Sequence, residues 1–165
     1  MSGQFEFLSN SETETARLGR HFASVLTGGM MVALNGNLGA GKTNFVRAVC
    51  EGLGVSDSLV NSPTFVLMQS YTGGRLPVVH FDTYRLGDTD EFLAIGGEDY
   101  LLDPEIVCFV EWAERIAEVL PPDHITISIQ HTGETSRSLT FDSCGPQGEA
   151  VIIALKATIA ADELD

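Results

Sequence analysis

Lysine is nearly missing from this chain: among 165 residues only Lys42 and Lys156 are lysines, beside seven arginines. These 9 basic residues face 23 acidic ones, for a formal net charge of −14. A protein that grips DNA or RNA unaided needs clustered cations to displace phosphate counterions. Strong direct nucleic-acid binding is therefore not expected, whereas an acidic surface suits solubility or docking on a basic protein partner. No run approaches the roughly 18 apolar residues of a membrane-spanning helix. The opening stretch, Met1 to Glu6, has neither the basic nor the apolar region of a secretory leader, so a cytoplasmic location is expected. Cysteine is scarce, odd in number and widely spaced: Cys50, Cys108 and Cys144 read as reduced core thiols, not as a disulfide framework or metal site. His21, His80, His124 and His131 show no metal-ligand spacing and read as ordinary structural residues. With 44% hydrophobic and 19% charged residues, the chain can bury an ordinary core. Its length predicts one domain over 1–165, with an acidic tail from about residue 160.

What is present is a phosphate-loop motif. Residues 36–43 read Gly-Asn-Leu-Gly-Ala-Gly-Lys-Thr, a complete G-x-x-x-x-G-K-[ST]. The apolar run Met30 to Asn35 before it has strand length. Phe45, Val46, Val49, Cys50 and Leu53 after it recur at helical spacing. Such a strand–loop–helix context is what the chemistry requires. Glycines let successive backbone N–H groups converge on one concavity, and the helix N-terminus adds unpaired donors and a positive dipole end. In this pattern Lys42 reaches the β and γ oxygens of a nucleotide, and the Thr43 hydroxyl ligates Mg²⁺.

The remaining elements follow from periodicity. Phe5 to Leu8 alternates as a short edge strand, and Ser11 with Glu14 forms a capping box before a helix with Leu18, Phe22, Val25 and Leu26 on its apolar face. After a turn at Asn61 to Thr64, residues 65–71 and 76–82 read as two strands joined through Gly73-Gly74. Residues 88–95 are mildly helical. Ile106 to Val110 is a continuous apolar run, the mark of a strand covered on both faces. A short helix then runs to about Leu120 and stops at Pro121-Pro122. His124 to Ile129 alternates and pairs with Arg137 to Phe141. The last twenty residues read as an apolar strand or helix plus the acidic tail. The succession predicts an α/β protein, a P-loop NTPase-like three-layer sandwich whose central sheet mixes parallel and antiparallel strands.

A phosphate loop also needs a carboxylate at the end of a neighbouring strand to hold Mg²⁺, directly or through water. Asp82 ends the strand Val78 to Phe81, and Glu111 ends the run 106–110; both are candidates. Ser62-Pro63-Thr64 lies where a segment sensing the γ-phosphate could stand. Trp112, the only tryptophan, adjoins Glu111, where it serves stacking, a partner contact or packing equally well. Arg85 reads first as an ordinary surface arginine and only second as a candidate for charge stabilisation or docking.

Four blocks in order, the loop at 36–43, Ser62-Pro63-Thr64-Phe65, His80-Phe81-Asp82-Thr83-Tyr84-Arg85-Leu86 and Glu111-Trp112-Ala113-Glu114-Arg115, resemble the TsaE family over about residues 8–142. That resemblance implies a bacterial ATPase required for threonylcarbamoyladenosine modification of tRNA beside the anticodon. It implies ATP phosphates in the loop formed by Asn37, Leu38, Gly39, Ala40, Gly41, Lys42 and Thr43, with Mg²⁺ on Thr43 and Glu111. Asp82 would position the attacking water and Thr64 would sense the γ-phosphate. Ser11 falls where family members line the adenine pocket, Arg137 falls near another nucleotide-lining position, and Trp112 is implied to be functional. The resemblance also implies that ATP hydrolysis resets the TsaD–TsaB modification complex. The chain departs from the family at Asn37, Asn44 and Ala113, where Asp, Thr and Pro are usual.

Two rival classes share the loop. A small-molecule kinase would need a mobile, Arg-rich lid to exclude water, and seven scattered arginines do not supply one. A guanine-nucleotide switch would need an N-K-x-D signature, which is nowhere present.

Overall fold

The computed structural model describes residues 3–37, 39–55, 68–84 and 88–163. The expected turn at 61–64, including Thr64, lies outside the described residues, as do Leu38, Arg85 and the first part of the strand expected at 65–71. The chain runs β1 (Gln4–Ser9), α1 (Glu12–Val25), β2 (Met31–Asn35), α2 (Lys42–Gly52) and β3 (Met68–Tyr71). It continues with β4 (Val78–Asp82), α3 (Thr89–Ala94), α4 (Gly97–Leu101) and β5 (Val107–Glu111). A 3₁₀ segment (Ala113–Val119), β6 (His124–His131), β7 (Arg137–Cys144) and α5 (Pro146–Glu163) complete it.

Seven strands form one sheet in the order β1-β7-β6-β2-β5-β4-β3. The four inner strands β6, β2, β5 and β4 are parallel, while β7, β1 and β3 pair antiparallel at the two sides. This is the mixed sheet expected, with β1 at one edge and β5 buried between β2 and β4. Because side chains alternate across a strand, β2 feeds both faces. Val32 and Leu34 join the large core under α1, α2 and α5, and Met31 and Ala33 join the smaller one under α3, α4 and the 3₁₀ segment. That smaller core draws on β2, β4 and β5 and, among the described residues, on none of β6 or β7. The second face of β6 is accordingly polar, with Thr126, Ser128 and Gln130 on it.

Local chemistry sets the element ends. The Ser11 hydroxyl accepts a 3.1 Å bond from Glu14 N, the first half of the capping box expected, whereas the Glu14 carboxylate accepts a 2.6 Å bond from Asn10 N, one residue before the N-cap. The open choice for the last twenty residues is decided for helix. Asp123 accepts bonds of 2.8 Å from both Gln147 N and Gly148 N, which holds the first turn of α5. α4 was not legible in the sequence; it starts from Gly96 in the left-handed region and is only five residues long. The reading of all three cysteines as core thiols needs one correction. Cys50 and Cys108 are buried, but Cys144 ends β7 and is exposed. Burial pushes the Cys50 thiol up to about 12, and burial with the nearby Asp103 charge does the same for Cys108. Among the described residues, no helix is long and apolar enough to cross a membrane.

Candidate functional site

The carboxyl ends of the parallel strands β2, β4, β5 and β6 meet at one edge of the sheet, where open α/β sheets collect ligands. The chain leaves β2 through Gly36, whose φ of 153° no side chain adopts easily. A Cβ there would stand 2.8 Å from the Ile129 carbonyl oxygen of β6, so the close turn requires glycine. The loop enters α2 through Gly41, again left-handed with φ 103°, and α2 has no side-chain N-cap. The N-terminal amides of a helix without such a cap are suited to an anion.

Lys42 opens α2 and is buried. Its ammonium donates a 2.7 Å bond to Gly36 O, lies 3.8 Å from Glu111 Oε1 and stands over the Trp112 ring. Parallel pairing sets Glu111 between Leu34 of β2 and Asp82 of β4, at the same level of the ladder. By strand alternation Glu111, Asp82 and His80 point to the α2 side. Asp82 is buried, and its Oδ1 accepts a 2.9 Å bond from Tyr84 N, which fixes the carboxylate's orientation. Thr83 ties the two strand ends together: its backbone N and its hydroxyl donate to Glu111 O at 3.1 and 2.9 Å, and the hydroxyl also reaches Trp112 O at 2.5 Å. Trp112 is held at φ 62°, a positive value that no other described non-glycine residue shows. Its ring packs on Tyr84 with centroids 5.0 Å apart.

A cleft of about 690 Å³ opens along this edge, lined in part by Asn37, Ala40, Lys42, Trp112, Glu114 and His131. Thr43 follows Lys42 in the first turn of α2 and is half-buried. Arg137, at the start of β7, is buried with its guanidinium against Gly41, where a Cβ would meet Nε at 3.1 Å. Gly39 lies in the same loop. Ser11 stands apart: its hydroxyl is engaged in capping α1, and it is not among the cleft-lining residues.

Two histidines read as ordinary turn out to touch this edge. His80 is completely buried and its Nε2 lies 2.7 Å from Glu111 Oε2. His131 Nε2 donates to Gly39 O at 2.7 Å and so ties the β6–β7 hairpin to the loop. The signal for His80 was its place two residues before Asp82, which puts both on one face of a strand. Nothing local pointed to His131.

A phosphate-loop helix on a parallel sheet, with a lysine facing a strand-end carboxylate, defines a P-loop nucleotide-binding protein of the α/β class. Comparison with known proteins narrows this. The family model described as threonylcarbamoyl adenosine biosynthesis protein TsaE matches residues 9–139. A protein of Bacillus subtilis (strain 168) named tRNA threonylcarbamoyladenosine biosynthesis protein TsaE is 38% identical over 146 residues, covering 88% of this chain and 90% of the relative. A Treponema pallidum (strain Nichols) protein of the same name is 39% identical over 133 residues, covering 81% and 96%. The crystal structure of Bacillus subtilis YdiB superposes with a TM-score of 0.77 at 32% identity, over 95% of this chain and 97% of that one. The chain belongs to the TsaE family, nucleotide-binding proteins of tRNA threonylcarbamoyladenosine biosynthesis.

Proposed function

We propose that this protein binds ATP with Mg²⁺ and hydrolyses it as a cytoplasmic accessory of tRNA modification, acting on the TsaD–TsaB complex that modifies the position beside the anticodon. One observation carries the reading. The buried Lys42 ammonium and the Glu111 carboxylate face each other at 3.8 Å across the mouth of a helix that lacks a side-chain cap. A cation, a metal-binding oxygen and converging amides are the minimum needed to hold a nucleoside triphosphate.

The donor set suits magnesium. Thr43 and Glu111 offer hard oxygen atoms, and Mg²⁺ takes one or two protein oxygens while keeping water and phosphate ligands. Absence of any His/Cys/Asp/Glu cluster of three among the described residues is compatible with such a sparse site. When bound, the ion neutralises charge on the phosphate oxygens. The chain's own residues do the rest. Lys42 exchanges the Gly36 carbonyl for phosphate oxygens, and the amides of Asn37 to Thr43 cradle the chain of phosphates. Asp82, fixed by Tyr84 N, orients the attacking water. Thr64 senses the γ-phosphate, and Trp112 and Arg137 line the nucleotide. Arg137 supports this role by placing a buried guanidinium beside Gly41, its Nε without a hydrogen-bond partner among the described residues.

Catalysis by positioning and charge alone is weak until every group is placed. Purified protein should therefore turn over ATP slowly and accelerate when TsaD–TsaB is added, with the acidic surface serving the docking. Steady-state phosphate release with and without the complex tests this; equal rates in both would count against it.

A further inference from the structure

His80 lies on β4 among Val78, Val79 and Phe81, all buried, and is itself completely buried. An imidazole in such surroundings costs desolvation unless its polar atoms are engaged. Its Nε2 meets Glu111 Oε2 at 2.7 Å, whereas Nδ1 is buried with no partner among the described residues. The tautomer follows. A lone pair on Nε2 would repel the carboxylate, and an N–H on Nδ1 would be an orphaned buried donor; N–H on Nε2 avoids both. Glu111 is thus gripped by one oxygen only. Its other oxygen, Oε1, is the one turned toward Lys42.

We propose that His80 is a positioning residue for the metal site. By donating Nε2–H to Oε2 it locks the Glu111 rotamer and presents Oε1 to the phosphate loop. Without that grip the carboxylate is free to turn both oxygens to the Lys42 ammonium 3.8 Å away, which would pair ligand and cation with each other instead of with nucleotide and metal. Outer-shell partners of this kind typically hold a metal-ligating group within a narrow range of orientations, and their loss weakens metal affinity about 10–100-fold. This proposal rests on the reading of Glu111 as the Mg²⁺-binding carboxylate.

The test uses the full chain, a fluorescent ATP analogue, and binding measured in EDTA and across a Mg²⁺ series. His80→Asn keeps a polar side chain that stops short of Oε2, while His80→Gln places its amide nitrogen where Nε2 stands. Expected for His80→Asn is a rise of about tenfold in the Mg²⁺ concentration giving half-maximal metal-dependent binding, a larger change than the loss of affinity in EDTA; His80→Gln should stay within about threefold of the parent. Equal Mg²⁺ dependence in Asn and Gln variants overturns the proposal. Glu111→Gln separates the two levels. If it leaves Mg²⁺ dependence unchanged, the reading of Glu111 itself has failed. If it shifts the dependence and His80→Asn does not, only the positioning role has failed. Should His80→Asn not fold, nitrogen NMR of the imidazoles in the parent protein decides, since a His80 proton on Nδ1 instead of Nε2 would overturn the proposal.

Discussion

The Lys42 ammonium lies 4.6 Å from the centroid of the Trp112 ring. Three things thus hold the cation at the loop: the Gly36 carbonyl, the Glu111 carboxylate and the face of an indole whose backbone is left-handed. A partly desolvated contact of this kind contributes about 1–2 kcal/mol.

Lys42→Ala should lower nucleotide affinity about 10–100-fold, the equivalent of a charged hydrogen bond worth roughly 1.5–3 kcal/mol. It should also alter Trp112 emission before any nucleotide is added. Titration calorimetry and tryptophan fluorescence check the two effects. Unchanged affinity would remove the basis for reading 36–43 as a phosphate cradle.

The large core is organised around Phe22, Phe45 and Phe141, with Phe141 meeting the other two edge-on at 5.4 and 6.2 Å. All three are fully buried. Phe141→Ala should destabilise the fold by about 3–5 kcal/mol, a cavity of aromatic size being left between α1, α2 and the sheet. Denaturant unfolding measures this, and a loss below about 1 kcal/mol would show that the site collapses freely.

Thiol reactivity should divide the three cysteines. Cys144 is exposed, while Cys50 and Cys108 are buried with thiols pushed up to about 12. At pH 8 a thiol reagent should modify one cysteine per native chain quickly and the other two only after unfolding. Three fast equivalents would contradict the burial.

Asp162 near the end of α5 accepts bonds from His21 and Arg17 of α1. The His21 bond is the largest effect on its carboxyl; desolvation opposes it, and the Arg17 bond and the charges of both partners tip the balance, holding the carboxyl below the ordinary 3.8. A carboxyl lowered on folding stabilises the native state above its unfolded value, and that contribution disappears as pH falls through the folded value. Asp162→Asn should therefore lower the melting temperature at pH 5–7, and its difference from the parent should vanish toward pH 2. Differential scanning calorimetry across that range checks it; a pH-independent difference would mean packing, not charge.

Much of this architecture could be read before any coordinates. Alternation in His124 to Ile129 marked a strand, the continuous run before Glu111 marked a buried one, and Ser11 with Glu14 marked where α1 begins. What escaped was short or non-local. α4 is too short to show a period. Cys144 stands outside the core because it ends β7, where the strand gives way to Gly145 and α5. His131 carries no spacing signal and His80 only its place two residues before Asp82, because each meets its partner through strand pairing or a hairpin tip, 31 and 92 residues away in the chain.

The phosphate loop, its flanking strand and helix, and the acidic, lysine-poor surface are properties of residues adjacent in the chain. Backbone freedom at glycine, side-chain period and net charge act locally, so the amino-acid order alone settles them. Which strand lies beside β2 is another matter. β5 on one side and β6 on the other bring Glu111 to Lys42 and set the β6–β7 hairpin against the loop, a choice made by burial of Val32, Leu34 and Phe109 in one common core. Hydrogen bonding across a sheet does not distinguish one apolar strand from another; only packing of the whole chain does. Hence the cradle was legible in the residues, while the His80–Glu111 grip beside it exists only once the sheet has closed.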